Sequence, residues 1–273
     1  MPRRAQPIFL GDGSTLAGIH VKNFLLTVLT LGIYSFWAKA DVRQYLYSQT
    51  DVAGDRFDYS GTGGELFLGF LKFLGLVLVG VGVAVAGLGV SESLAPVVGY
   101  ALVGLLVFPL GVVGSRRYRL SRTSWRGIAF SFRGSVAGFL GVYIPGALLT
   151  VVTLGIYYPF FHANVRRFLV EGTHFGNRPF EFTGSGADLL PRHLLLYVAL
   201  PLTLGLYGFW HVAHRQRYYW EHTSFGSAQF SSSLDGGELL SFSLANALLT
   251  IVTLGIAYPW IQARRIGFQC EQI

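Results

Sequence analysis

Apolar residues gather into six long stretches along the chain, 16–34, 65–88, 96–114, 136–155, 189–209 and 239–256. About twenty mainly apolar residues suffice for a helix to cross a hydrocarbon core. The pattern therefore predicts a mainly α, polytopic membrane protein with about six apolar helices. Between the stretches lie segments of mixed aromatic and basic residues, expected as short interfacial helices. These give way to runs such as Phe175 to Phe182, where aromatic and polar residues alternate around Gly176, Asn177 and Pro179. Alternation around a turn cluster predicts a small β-hairpin. It is expected in three places, with Phe225 to Phe230 a weaker version of the pattern.

The pattern repeats. Thr153-Leu154-Gly155, Thr203-Leu204-Gly205 and Thr253-Leu254-Gly255 follow one another at intervals of fifty, and Thr30-Leu31-Gly32 precedes them by two periods and 23 residues. The missing copy falls at Val103-Gly104-Leu105, where Pro109 matches Pro159 and Arg116-Arg117 match Arg166-Arg167. A period of this length marks tandem supersecondary units. Five units are expected, at about 9–58, 59–131 with a 23-residue insertion, 132–181, 182–231 and 232–273, together one membrane domain over 1–273. Thr50, Thr123, Thr173 and Thr223 stand near the end of the basic stretch in four of them.

Composition agrees with a lipid solvent. The chain is 52% apolar and only 13% charged, about half the charge usual in a soluble domain. Many of its 35 glycines fall inside apolar runs, as in closely packed membrane helices. Asp12, His20 and Lys22 interrupt the stretch where a signal sequence would be apolar, so no cleaved targeting peptide is expected. Cys270 is the single cysteine, which leaves no intrachain disulfide.

The net charge of +7 suits cytoplasmic loops better than nucleic acid, because the cations flank apolar stretches. Residues 115–135 carry six arginines and no acid, which makes that loop cytoplasmic by the positive-inside rule. Two arrangements then compete. Six alternating crossings put 156–188 on the opposite face from its homologous neighbours. Alternatively, some units dip in as re-entrant helical pairs turning at Thr-Leu-Gly, which keeps every basic segment on one side.

Candidate sites follow from residue type. Trp37 with Lys39, Arg116 with Arg117, Arg166 with Arg167, Trp210, and Trp260 with Arg264 and Arg265 join rings that favour the headgroup layer to cations that favour lipid phosphate. Membrane lipids are thus the expected partner. Glu65, Asp188 and Glu238 recur where apolar runs begin, which fits helix capping and, as a second reading, an ion relay. Lys72, seven residues after Glu65, is expected to snorkel or to pair with it. His211, His214 and His222 lack the Cys or acid partners of a metal site, and no metal or cofactor is expected. No nucleophile or phosphate-loop motif occurs, so no enzymatic activity is expected.

Leu29-Thr30-Leu31-Gly32-Ile33-Tyr34, Trp37-Ala38-Lys39, Thr50, Phe57-Asp58-Tyr59 and Gly61-Thr62-Gly63-Gly64-Glu65 together resemble the YjgN-like bacterial inner membrane family. The resemblance covers the whole chain. It implies a multi-pass inner membrane protein with no assigned activity, and brings no catalytic residues. The second unit departs from it at 103–107. The residues then suggest envelope organisation or anionic-lipid interaction, with a small transporter or channel as the alternative. Either way the apolar stretches need lipid or detergent. The purified chain should elute as a single species in detergent and aggregate in plain buffer, measured by size-exclusion chromatography.

Overall fold

A computed structural model describes residues 5–87 and 108–273. The 96–107 part of the third apolar stretch, the Ser91-Glu92-Ser93 joint before it and the Val103-Gly104-Leu105 copy lie outside the described residues. The chain is mainly helical with small antiparallel sheets, and its helices come in pairs. The pairs are α1 (Gly13–Leu29) with α2 (Ser35–Ser48), α3 (Gly63–Gly87) with α4 (Phe108–Ser121) and α5 (Val136–Val152) with α6 (Tyr158–Glu171). Two further pairs are α7 (Gly186–Leu202) with α8 (Tyr207–Glu221) and α9 (Gly236–Val252) with α10 (Tyr258–Glu271).

Helix starts are set by side-chain caps. Asp12, Ser135, Ser185 and Asp235 accept from backbone N–H groups of the first turn. Thr62 and Glu65 form a reciprocal capping box on α3. The second helix of a pair runs back along the first: Phe139 near the start of α5 meets Phe168 near the end of α6, and Tyr143 meets Phe161 further along.

Short strands follow the second helix of the first four pairs. β1 (Pro7–Phe9), β2 (Thr50–Val52), β3 (Asp55–Tyr59), β4 (Thr123–Trp125), β5 (Ile128–Phe132), β6 (Thr173–Phe175) and β7 (Arg178–Pro179) pair in that order, all antiparallel. β8 (Glu181–Phe182), β9 (Thr223–Phe225) and β10 (Ala228–Gln229) form a second small sheet. The weaker fourth hairpin therefore does form, with only two residues in its outer strand. Two of the turns, Ala53-Gly54 and Arg126-Gly127, have positive φ at both positions, the geometry that suits tight hairpins.

This pairing bears on the two arrangements. Phe130 pairs with Phe175, and Phe182 with Thr223. Paired strands lie about 4.8 Å apart, whereas opposite membrane faces are about 30 Å apart. The segments 115–135, 156–188 and 210–238 consequently lie together at one end of the helix pairs, the placement that the re-entrant arrangement requires. Helix length agrees. α1, α5, α7 and α9 each have 17 residues, roughly 25 Å at 1.5 Å per residue. Among the described residues only α3, over Gly63–Gly82, is long and apolar enough to cross a membrane. The stretches 16–34, 136–155, 189–209 and 239–256 are longer than their first helices because each includes its Thr-Leu-Gly turn, and 189–209 also takes in the first residues of α8.

The pairs close into a ring. One backbone bond recurs in five places: Leu10, Ser60, Arg133, Thr183 and Ser233 donate to the carbonyls of Gln49, Arg122, Gly172, His222 and Gln272 at 2.8–3.1 Å. Between pairs, an aromatic ring near the start of the second helix sits on a glycine at the start of the next pair. The matches are Trp37 on Gly63 and Trp210 on Gly236, while at Gly186 the backbone of Pro159 and Phe160 makes the close approach. Trp260 on Gly13 makes the same contact between the last pair and the first, and Gln6 Nε2 adds a bond to the Glu271 carbonyl at 2.9 Å. At the remaining junction the two positions are Leu110 and Val136, so the large ring and the glycine are absent together.

A β-carbon at Gly13 would collide with Trp260. Gly13→Ala should therefore destabilise the protein by about 1–3 kcal/mol. Gly18→Ala, in the open middle of α1, should be neutral or stabilising by about 0.5–1 kcal/mol. Thermal unfolding in detergent separates the two.

Candidate membrane interface

The Thr-Leu-Gly turns stand at the far end of each pair from the strands. In the four described copies the first helix ends with leucine in the left-handed region, at φ 50–51° for Leu31, Leu154, Leu204 and Leu254, followed by glycine at φ 85–94°. Gly32, Gly155, Gly205 and Gly255 donate back to the carbonyls of Thr27, Thr150, Leu200 and Thr250 at 2.7–2.8 Å. This is the six-to-one bond of a Schellman ending.

The threonine serves both helices. Thr30, Thr153, Thr203 and Thr253 donate their hydroxyls to the carbonyls four residues earlier at 2.7–2.8 Å. The same oxygens accept from the N–H groups of Tyr34, Tyr157, Tyr207 and Ala257 at 2.9–3.2 Å. The turn thus satisfies much of its backbone without water, as hydrocarbon surroundings require.

At its summit stands an apolar side chain in a conformation that costs about 1–2 kcal/mol for anything but glycine. Leu31, Leu154, Leu204 and Leu254 are 95%, 85%, 94% and 91% exposed. Below them, exposed Leu29, Val152, Leu202 and Val252 continue an apolar surface, while few large side chains, among them Phe139, Leu16 and Val113, are fully buried. Apolar surface on this scale marks an interaction site.

The helix-start acids sit at the strand end, each held by its own pair. The Glu65 carboxylate bonds Arg122 and accepts from the Tyr118 hydroxyl at 3.0 Å. Asp188 accepts from the Tyr218 hydroxyl at 2.5 Å, and Glu238 from Gln272 Nε2 at 2.9 Å. Burial and the Asp188 bond push the Tyr218 phenol up to about 12, so it remains a donor. Lys72 lies exposed on α3 with no ion pair among the described residues, Glu65 being taken by Arg122. Lys22 and Asp41 form a 2.7 Å pair between α1 and α2, which their spacing of 19 did not suggest.

The aromatic and basic residues divide into three groups. Trp37, Trp210 and Trp260 cover the ring-joining glycines. Arg117 and Arg167 donate to the carbonyls of Gly134 and Gly184, both at 2.9 Å, tying each second helix to the next opening loop. Arg116 and Arg166 turn into the junctions: Arg116 bonds Thr173 Oγ1 at 3.1 Å and lies over Phe132, while Arg166 lies over Tyr219 and Trp220. Burial and the neighbouring Arg166 and Arg119 charges lower Arg116 to about 10, still cationic at neutral pH. Lys39, Arg264 and Arg265 remain exposed at the rim.

Fold and surface define a helical-hairpin protein that presents apolar turns at one end and cations at the other. The chain belongs to the family described as a bacterial protein of unknown function (DUF898), which it matches over residues 5–202 and again over 190–273. It is 35% identical over 131 residues to the inner membrane protein YjgN of Salmonella typhimurium, covering 47% of this chain and 31% of that protein. To the protein of the same name from Escherichia coli K12 it is 35% identical over 150 residues, 54% of this chain and 36% of that protein. The chain thus matches about a third of the length of these curated relatives. No solved structure matches it.

Thr203→Val keeps shape but removes both hydroxyl bonds of one turn. It should lower stability by about 1–3 kcal/mol, read as a drop in melting temperature in detergent, whereas Thr203→Ser should retain most of it.

Proposed function

We propose that this chain is a non-catalytic, multi-pass protein of the bacterial inner membrane that inserts its helical hairpins into the bilayer from one face and engages anionic lipid around its basic rim. The carrying observation is the set of four exposed leucines on turns whose backbone is internally bonded. The inner-membrane names of the relatives support the location. In this reading α3 is a spanning helix, while α1, α5, α7 and α9 are re-entrant. Their roughly 25 Å falls short of the about 30 Å core.

The rim meets headgroups through Lys39, Arg264 and Arg265, which are exposed and lie outside the ion pairs found among the described residues. Arg117 and Arg167 serve the junctions instead. Glu65 closes the capping box of α3, and Asp188 and Glu238 are held by Tyr218 and Gln272, which favours a structural role over a relay.

Single cysteines at Asn177, Ser227 and Leu154, in a Cys270→Ser background, test the insertion. An impermeant maleimide should label positions 177 and 227 from the same side of membrane vesicles and 154 from neither. Labelling of 177 and 227 from opposite sides would sink the proposal. For the rim, Arg264→Gln with Arg265→Gln should weaken association with anionic vesicles, and the difference from wild type should shrink as salt rises.

A further inference from the structure

A cavity of about 170 Å³ opens between α7, α8 and the loop before α9, several times the roughly 30 Å³ share of one water. Arg192 reaches it from α7, and His211, His214 and Arg217 reach it from α8 at intervals of three residues. Neither arginine forms an ion pair among the described residues. The carboxylate on the lining, Asp235, accepts from Gly237 N–H at 2.7 Å in capping α9.

The Nδ1 atoms of His211 and His214 are buried without a partner. Beside them, a smaller pocket shares Arg192, His211 and His214 and adds Arg215 and the buried His193, whose Nδ1 is also unmatched. Buried polar atoms are normally bonded, and the two guanidinium charges of Arg192 and Arg217 outnumber the one carboxylate on the lining, Asp235. An anion with several acceptor oxygens relieves both conditions. A metal cation would worsen the second, because guanidinium groups share the lining with the imidazoles.

We propose that this cavity binds a phosphate group, with Arg192 and Arg217 supplying paired guanidinium N–H donors and His211 and His214 supplying imidazole N–H donors. Trp210 and Tyr207 line its side, and the exposed Leu206 leads from there to the apolar surface. The phosphate of a lipid headgroup and free phosphate share the required chemistry; only the lipid source rests on the membrane reading above.

The full chain in maltoside micelles is titrated with inorganic phosphate and with dioctanoyl phosphatidylglycerol, followed by calorimetry. Saturable one-to-one binding is expected for at least one probe, weakened at least tenfold by Arg192→Gln with Arg217→Gln. Preference for the lipid assigns a headgroup, and equal or better binding of phosphate assigns the free anion. Arg217→Gln alone, the milder change, should give an intermediate loss at an unchanged elution volume. Arg264→Gln with Arg265→Gln should leave one-to-one binding intact, so a failure of the rim reading is distinguishable from a failure of the cavity. No saturable binding of either probe, or undiminished binding by the double Arg192 and Arg217 variant, overturns the proposal.

Discussion

A turn that enters hydrocarbon must bond its own backbone. Two helices meeting at a turn leave amide and carbonyl groups unpaired at both ends, and lipid supplies no replacement partner. Thr30, Thr153, Thr203 and Thr253 meet that constraint with one hydroxyl each, donating to the outgoing helix and accepting from the returning one. Glycine at the next position but one completes the closure. Leucine between them accepts backbone strain in exchange for an apolar summit, a choice that makes little sense for a turn facing water.

The opposite ends of the hairpins obey a different rule. There the backbone pairs outward, strand to strand, and three of the junctions add a tryptophan ring seated on glycine. The sheets also hold the basic segments together at one end of the helix pairs. Ring closure by Trp260 on Gly13 joins the last pair to the first through the same contact as Trp37 on Gly63 and Trp210 on Gly236.

The cations include three kinds. Some, such as Arg117 and Arg167, are structural ties to loop carbonyls. Arg116 and Arg166 lie against aromatic rings within the junctions. Lys39, Arg264 and Arg265 remain open at the rim. Residue type alone does not separate these groups, because arginine beside an aromatic ring suits a headgroup layer and a packed junction equally well.

Much of the architecture was legible in the chain itself. The helices of the apolar runs, the hairpins after Thr50, Thr123 and Thr173 and the cap at Glu65 all rest on local pattern, which short-range sterics and hydrogen bonding translate directly into helices and turns. The number of crossings was not legible. Hydropathy cannot distinguish a straight helix from one that reverses at Thr-Leu-Gly, because both are apolar throughout. Only tertiary contacts settled that Phe130 lies beside Phe175, that Trp260 reaches Gly13, and that Arg192 meets His214 across two helices. Those pairs are separated along the chain by distances that no periodicity encodes, and they depend on how tilted helices close around a ring.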